Sequence, residues 1–335
     1  MPTIRKITGL VSIFLLILVP LVAYEEDAKG GFSLSPLMGM IIGQSEEILY
    51  KYKNSDQYVS QLLWDLKPLF YLGIDSDFGP RDPFQKSGFI ASGSVKFGLP
   101  LKTGMVEDRD WNDSSADYLT HYSRHDAYSQ NAILTDLSAG YSWRIKDYLV
   151  LSACGKFSYM YFSWMAENGY YQYADKVDGH YKKWDESIPK KSVYGAIMRY
   201  IQHWFILAPV LTVKSRLERR IFFEGSVSYS PLIYCADRDD HFFSDVPYHG
   251  RLFYGYYSFG HYIDGNTRIT FSASKNLDLS LSISYRYITG LRDVSFYAYT
   301  GADVSGNAIE NYDGGTGYSA LDINFATRIR LYGRR

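Results

Sequence analysis

Residues 277–287 alternate strictly between apolar and polar side chains, and this pattern limits the fold more than any other feature of the chain. Leucine, isoleucine and tyrosine occupy the odd positions from Leu277 to Tyr287, whereas aspartate, serine and arginine occupy the even positions. Successive side chains of a β-strand point to opposite faces, so this strand separates an apolar medium from a polar one. Residues 321–331 repeat the alternation. Strands of this kind, edged with tyrosine, are typical of a transmembrane β-barrel.

The composition agrees with this interpretation. The 335 residues are 17% aromatic and include 32 tyrosines, yet the mean hydropathy is only −0.21. A helical membrane protein would be far more apolar, whereas the alternation hides the membrane character of a barrel, and tyrosine suits its interfacial girdles. The net charge of −1 lacks the basic surplus expected of a nucleic-acid-binding protein.

The N-terminus has the features of a signal peptide. Arg5 and Lys6 precede an apolar run, and Ala23 is a small residue suited to cleavage. The run is shorter than the roughly 20 residues that a transmembrane helix needs. We predict a signal peptide at 1–23 and a single barrel domain at 24–335. Cys154 and Cys235 are expected to be separate thiols.

Turn residues and polar blocks divide the mature chain into about ten strands. Short connections alternate with long polar ones, which is the arrangement of an outer-membrane protein. We therefore predict an all-β fold, a ten-stranded antiparallel transmembrane β-barrel with long extracellular loops and with both termini on the periplasmic side. The predicted long loops are 107–127, 167–190, 237–249 and 290–317. The predicted strands are 32–52, 57–73, 87–106, 128–144, 148–166, 191–214, 218–236, 250–273, 277–289 and 318–332.

Two acidic segments lie at the predicted outward ends of the third and seventh strands. Asp108 and Asp110 share one face, and Asp237, Asp239 and His241 form a second same-face series. A histidine held by a neighbouring aspartate has the tautomer and the pKa that suit a general base. Two facing aspartates at close range would share a proton. The two segments could together activate a water molecule.

The residue types alone leave other interpretations open. Acidic residues at the mouth of a barrel are often simply solvated, and an Asp-x-Asp-x-His sequence also suits a divalent cation. The alternation of side chains along the seventh strand adds a difficulty. Val227 and Tyr229 are expected to face the lipid, and in an unbroken strand the other odd-numbered residues, Asp239 and His241, would point outward with them. We predict a β-bulge near Pro231 that shifts the register.

Four sequence blocks resemble the omptins, the ten-stranded outer-membrane proteases of Gram-negative bacteria. The similarity spans nearly the whole mature chain, from about Gly43 to the last strand. The blocks are Val59-Ser-Gln-Leu62 followed by Trp64, Asp108-x-Asp110-Trp-x-Asp-Ser-Ser115, Ser123-Arg-His125 and Asp239-Asp-His241.

The resemblance implies catalytic roles for four residues. Asp239 and His241 match the dyad that polarises the attacking water, and Asp108 and Asp110 match the facing pair that holds the water and the oxyanion. Hydrolysis would proceed without an acyl-enzyme. The chain would then be an omptin-type aspartic endopeptidase.

The resemblance also implies a binding pocket for a basic side chain. Glu47 and Asp237 match its two carboxylates, so the expected cleavage follows Arg or Lys, whose desolvated cation pairs with fixed anions. Ser123 and His125 are expected to have a structural role near the site, because a Ser–His spacing proves nothing without geometry.

Further expectations concern partners. Polypeptides with basic residues are the expected substrates, no metal or other cofactor is implied, and a closed barrel is expected to be a monomer. The alternative function is a non-enzymatic barrel of the same ancestry that acts as an adhesin or a structural protein. A porin is not expected, since ten strands leave little room for a channel.

Two departures from the family bear on specificity and activation. The family often has an acidic residue where this chain has His121, and that residue helps to choose the side chain after the cut. Omptins also need lipopolysaccharide, bound by basic residues on the outer barrel surface, and the nearest matching positions here are the apolar Met160 and Phe205. The sequence leaves open whether lipopolysaccharide, another outer-membrane lipid or no lipid activates this chain.

Overall fold

The computed structural model describes residues 30–51, 55–113, 117–242, 251–274, 276–299 and 310–331, and these form antiparallel β-strands. The predicted signal peptide at 1–23 lies outside the described residues. The described residues contain no helix long and apolar enough to cross a membrane. The barrel strands are β1 (Gly30–Tyr50), β2 (Tyr58–Pro80), β3 (Gly88–Gly98 and Lys102–Asp110), β4 (His121–Lys146), β5 (Leu149–Tyr173), β6 (Lys191–Glu218), β7 (Ile221–Ser230 and Ile233–His241), β8 (Arg251–Ser258 and His261–Ser272), β9 (Leu277–Tyr299) and β10 (Glu310–Leu331).

The strands close into a ring of ten. Each strand pairs with its neighbours in sequence, and β1 also pairs with β10, from Phe32 opposite Leu331 to Tyr50 opposite Asp313. A small hairpin, Lys176–Val177 with His180–Tyr181, lies in the connection between β5 and β6. The predicted fold class, a ten-stranded antiparallel transmembrane β-barrel, is confirmed.

Apolar and polar side chains alternate between the outer and inner faces of the barrel, as the sequence predicts. In β9, Leu281 and Ile283 are exposed on the outer surface, whereas Ser280 and Ser282 are buried inside. The same apolar belt runs round the other strands, where lipid replaces water as the solvent. Its members in the other strands include Leu34, Met38, Phe70, Leu72, Ile74, Leu207, Leu211, Ile263, Ile269, Phe325 and Ile329.

One predicted outward residue is wrongly assigned. Met160 is fully buried, faces the lumen and accepts a hydrogen bond from Arg286 Nη1 at 2.9 Å. The position lies on the inner face because inward residues of β5 are even-numbered at this depth. Phe205 does lie on the outer wall, where its ring contacts Tyr159 and Tyr234 at centroid distances of 5.1 Å and 6.0 Å.

The strands are longer than the sequence predicts at the end that carries the acidic segments. β4 begins at His121 rather than 128, β5 ends at Tyr173 rather than 166, and β9 ends at Tyr299 rather than 289. Much of each predicted long loop is therefore strand. The apolar alternation ends where the belt ends, because a wall in water no longer needs apolar outward residues, although its backbone pairing continues.

Ion pairs fill the lumen at the level of the belt. They surround a cavity of about 230 Å³ whose lining is mainly polar and charged. A network of paired charges therefore takes the place of an apolar core at this depth. The pairs are Lys96–Asp322, Lys156–Asp264, Arg268–Asp75, Arg286–Asp136, Lys214–Glu224 and Arg328–Asp77.

An aromatic layer lies between this ionic lumen and the acidic end of the barrel. The rings of Trp64 and Trp164 both lie against Tyr200, at centroid distances of 5.5 Å and 5.9 Å, and all three residues are fully buried. Trp64 is two residues deeper than Leu62, which pairs with Asp108. This aromatic layer forms the floor of the acidic cleft.

The ion-pair network predicts a stability effect. Arg286→Met leaves Asp136 and Asp264, at 3.3 Å and 3.8 Å from the guanidinium, without this cation in a buried site. We expect the free energy of unfolding to fall by about 3–5 kcal/mol, measured by urea unfolding of the refolded protein in lipid.

The control is Arg144→Met, which removes an exposed pair with Asp147 and should leave the free energy of unfolding close to the wild-type value, because water screens exposed pairs. If both variants lost the same free energy of unfolding, a stabilising role for the ion-pair network would be contradicted.

Candidate active site

The strand that carries the predicted dyad is interrupted at residues 231–232. Before the break the inward residues of β7 are even-numbered, as the buried Ser230 is, and after it they are odd-numbered, starting with the buried Ile233. The Ile233 N–H donates to the Pro231 carbonyl at 3.2 Å, which tightens the chain locally. The predicted irregularity near Pro231 is confirmed, and it turns Asp239 and His241 into the barrel.

Asp239 and His241 form a hydrogen-bonded pair. His241 Nε2 donates to Asp239 Oδ2 at 2.6 Å, and Asp239 is only 1% exposed. Burial alone would lower the pKa of His241, but the Asp239 carboxylate outweighs burial and, with Asp108 and Asp110, raises that pKa to about 9. Because Nε2 is bound to Asp239, Nδ1 is the ring nitrogen that can exchange a proton with a water molecule.

Asp108 and Asp110 face this pair across the cleft. Both lie on the second segment of β3, and the charges of His241 and Asp239 act directly on Asp108. Burial, and then the neighbouring Asp110 carboxylate, raise the pKa of Asp108 well above its usual range. A carboxyl group that keeps its proton at neutral pH can donate a hydrogen bond to a developing oxyanion. The structure thus brings all four predicted catalytic residues into one cleft.

Glu47 and Asp237, the predicted pocket carboxylates, lie together beside the dyad. Asp237 Oδ2 accepts a hydrogen bond from the Tyr200 hydroxyl at 2.8 Å. Burial and the Asp239 charge outweigh that bond and raise the pKa of Asp237 to about 7. Burial, followed by Asp239 and Asp237, raises the pKa of Glu47. A Cβ on Gly255 would lie 2.3 Å from Asp237 Oδ1, so only glycine fits there.

A chain of neutral groups supports the pocket, and the sequence did not reveal it. Ser45 Oγ donates to Gln202 Oε1 at 2.6 Å, and Gln202 Nε2 donates to the Tyr200 hydroxyl at 2.8 Å and to Thr316 Oγ1 at 3.0 Å. These residues come from β1, β6 and β10. No short motif unites them, since their proximity depends on register between strands that are distant in sequence.

Three carboxylate oxygens in the cleft are buried without a hydrogen-bond partner among the described residues: Asp108 Oδ1, Asp239 Oδ1 and Glu47 Oε2. Buried acceptors are costly unless something binds them, so they are poised for donors on a bound peptide or water. In the described part of the chain, no group of three or more His, Cys, Asp or Glu side chains is arranged to hold a metal ion.

Ser123 and His125 form a separate buried pair next to Asp108. His125 Nδ1 donates to the Asn168 carbonyl at 2.7 Å, so its Nε2 accepts the hydrogen bond from Ser123 Oγ at 2.9 Å. Ser123 lies directly opposite Asp108 across the β3–β4 pairing. The pair ties β4 to β5 beside the cleft, and the serine hydroxyl is directed at His125 rather than at His241.

The fold and the cleft define a class of protein, a transmembrane β-barrel that holds paired carboxylates and an imidazole beyond its apolar belt. A sequence model described as the Omptin family matches residues 28–321. The chain therefore belongs to the omptin family of outer-membrane proteases.

A solved structure agrees with the fold. The chain matches the outer membrane protease OmpT from Escherichia coli with a TM-score of 0.77 and 17% identity, over 91% of this chain and 98% of that one. The Pseudomonas aeruginosa outer membrane protein OprG, at 7% identity, covers 91% of this chain and 97% of its own, with a TM-score of 0.34, too low to carry an argument. No curated protein matches the sequence.

The dyad geometry predicts a titration. Asp239→Asn removes the charge that raises the pKa of His241, while burial remains, so we expect that pKa to fall from about 9 by at least one unit. NMR titration of ring-labelled histidine measures it, with His241→Ala to assign the signal among seven histidines.

Glu107→Gln is the matched control for this titration. Glu107 lies on the same segment as Asp108, but its carboxylate binds Arg109 at 2.6 Å. An unchanged His241 pKa is expected in the control, and a similar drop in both variants would argue against specific coupling to Asp239.

Proposed function

We propose that this protein is an outer-membrane endopeptidase that cleaves exposed polypeptides after Arg or Lys, with water activated between Asp239–His241 and Asp108–Asp110. The observation that carries the proposal is the buried Asp239–His241 hydrogen bond of 2.6 Å facing the Asp108 carboxyl in one cleft. Membership of the omptin family supports proteolysis as the reaction class.

The proposed reaction needs no covalent intermediate. A water molecule between the two pairs attacks the scissile carbonyl, and His241 takes its proton while Asp239 stabilises the imidazolium. The protonated Asp108–Asp110 pair donates a hydrogen bond to the oxyanion. His241 then returns the proton to the leaving amine.

The pocket gives the proposed preference for a basic residue and links it to catalysis. An arginine or lysine side chain entering between Glu47 and Asp237 would be desolvated and paired with both carboxylates. Its positive charge would also lower the pKa of His241 from about 9 towards neutrality. Substrate binding would then convert the imidazolium into a base.

The remaining parts of the proposal concern orientation and lipid. We propose that the cleft faces the cell exterior and that the barrel is a monomer, as its closed sheet leaves no edge to pair. An anionic outer-membrane lipid is the proposed activator. Its support is an outward cluster in which Asp240, 3% exposed, is held by Arg199 and Arg238 directly behind Asp239. A lipid phosphate on these arginines would contact the catalytic strand.

Cleavage of an Arg-containing fluorogenic peptide tests the reaction. We expect refolded protein in lipopolysaccharide or another anionic lipid to cleave it, and His241→Ala or Asp108→Asn to lower kcat by about 10²–10⁴-fold, the usual size of acid–base catalysis.

Glu107→Gln, whose carboxylate faces away from the cleft, should retain its activity. A folded wild-type protein that stays inert in every lipid would refute the protease and favour the alternative, a non-enzymatic adhesin or structural barrel.

The pocket predicts a pH dependence. A cation binds only to ionised Asp237, whose pKa of about 7 means that it gains a proton as the pH falls. Below pH 7 we expect kcat/KM for an arginine substrate to fall by about tenfold per pH unit, mainly through KM.

Glu47→Gln should lower kcat/KM for the arginine substrate by at least tenfold, because one of the two anions is lost. The comparison substrate carries citrulline, which is neutral and of the same shape. If kcat/KM fell equally for both substrates as the pH is lowered, the pocket carboxylates would not be the cause of the pH dependence.

A further inference from the structure

The connection between β2 and β3 lies at the end of the barrel opposite the cleft and is longer than a hairpin requires. Two other hairpins at this end turn through residues 147–148 and 219–220 alone, whereas residues 81–87 join β2 to β3. Two residues are enough to connect antiparallel strands. The additional length of residues 81–87, which we call the turn segment, therefore needs another explanation.

The turn segment is a compact turn organised by Asp82. The Asp82 carbonyl accepts hydrogen bonds from the N–H groups of Gln85 and Lys86 at 3.1 Å and 3.2 Å. Asp82 Oδ1 accepts a third hydrogen bond from the Phe84 N–H at 2.9 Å. Although Phe84 belongs to a connection between strands, its side chain is only 4% exposed. The turn therefore presents this ring to the protein and not to the solvent.

Phe84 packs against strands on the other side of the barrel mouth. Its ring stacks on that of Phe222, with the centroids 5.8 Å apart, and the Arg216 guanidinium lies 4.6 Å from its centroid. Phe222 on β7 and Arg216 on β6 are directly opposite each other. Because β4 and β5 separate β3 from β6 in the ring, this contact crosses the mouth of the lumen.

Polar contacts hold the turn segment in this position. Asp82 Oδ1 and Oδ2 each lie 3.4 Å from Arg216 Nη2, so one guanidinium binds the segment both through the carboxylate and through the Phe84 ring. At the other end of the segment, the Ser87 hydroxyl accepts a hydrogen bond from the Arg144 N–H at 2.9 Å. The segment is thus anchored to β6 and to β4, on both sides of Phe84.

The ionic lumen begins immediately inside this contact. Glu224 is two residues from Phe222 on the inner face of β7, pairs with Lys214 at 2.7 Å and lines the lumen cavity. Opposite charges attract each other more strongly where water is excluded. A closure at this end would therefore strengthen the ion-pair network that takes the place of an apolar core.

We infer that residues 81–87 form a plug that closes the lumen at the end opposite the cleft and keeps solutes on that side out of the cavity. Phe84 fills the mouth, and the Asp82–Arg216 pair holds it there. With the aromatic layer at the other end, the plug makes the ionic lumen a closed compartment instead of a channel. The inference does not depend on the proposed proteolysis.

The native thiol of Cys154 can report on the plug. It lies deeper in the lumen, where it interacts with Ser138 and Glu224, which both line the cavity. In detergent, we expect 2-aminoethyl methanethiosulfonate to modify Cys154 of the folded wild-type protein about 100-fold more slowly than in the urea-unfolded chain, since reaction requires opening. Peptide mass spectrometry distinguishes this thiol from Cys235.

Two variants open the plug in different ways. Phe84→Ala removes the ring and should raise the modification rate of Cys154 in the folded protein by about tenfold, the effect of losing one stacked ring. The second variant replaces residues 81–88 by Asn-Gly, a two-residue hairpin turn. Phe78 pairs with Ala91, so this turn keeps the register of β2 and β3, and the same increase or a larger one is expected.

Gln85→Ala is the matched control, because Gln85 is an exposed residue of the same segment, and it should leave the rate at the wild-type value. The plug is refuted if Cys154 of the folded wild-type protein reacts as fast as in the unfolded chain. It is also refuted if Cys154 stays protected in either plug variant while that variant is folded. The shortened hairpin decides the matter where Phe84→Ala does not fold.

Discussion

Closure of the hydrogen-bonded sheet is the constraint on which everything else in this protein depends. Within a bilayer each backbone N–H and C=O must find its partner inside the protein, and the pairing of β1 with β10 meets that condition without leaving an edge. Closure then gives every strand an inner and an outer face. The outer face carries the apolar belt, and the inner face carries ion pairs, an aromatic floor and the acidic cleft.

The cleft depends on one departure from that regularity. A strand that continued unchanged through residues 231–232 would turn Asp239 and His241 outward. The break exchanges the two faces of β7, so the same segment presents Asp237, Asp239 and His241 to the cleft and Arg238 and Asp240 to the outer surface. A bulge beside an active site is a common means of re-aiming side chains, and here it joins the inner chemistry to an outer charged cluster.

The electrostatics of the cleft follow from its position above the aromatic floor. Five carboxyl groups converge there, with His241 as the cation among them, while lysines and arginines of the deeper lumen are paired with their own partners. Burial and mutual repulsion therefore raise the pKa of Asp108 well above its usual range and that of Asp237 to about 7. In the proposed reaction, the charge of a basic substrate would displace protons from this site, which would join recognition to catalysis.

The sequence by itself determined the class of fold and much of the candidate site. The alternation at 277–287 reflects a local two-residue period, and the parity conflict on β7 was enough to predict the break near Pro231. The lengths of the strands were underestimated. The alternation of apolar and polar residues extends only as far as the membrane, whereas the backbone pairing continues beyond it. Only the tertiary structure decided that Tyr200, Gln202 and Thr316 support the pocket, that Met160 faces the lumen and that Phe84 packs on Phe222. These facts depend on the register between strands far apart in the chain, which closure of the whole ring fixes and no local pattern records.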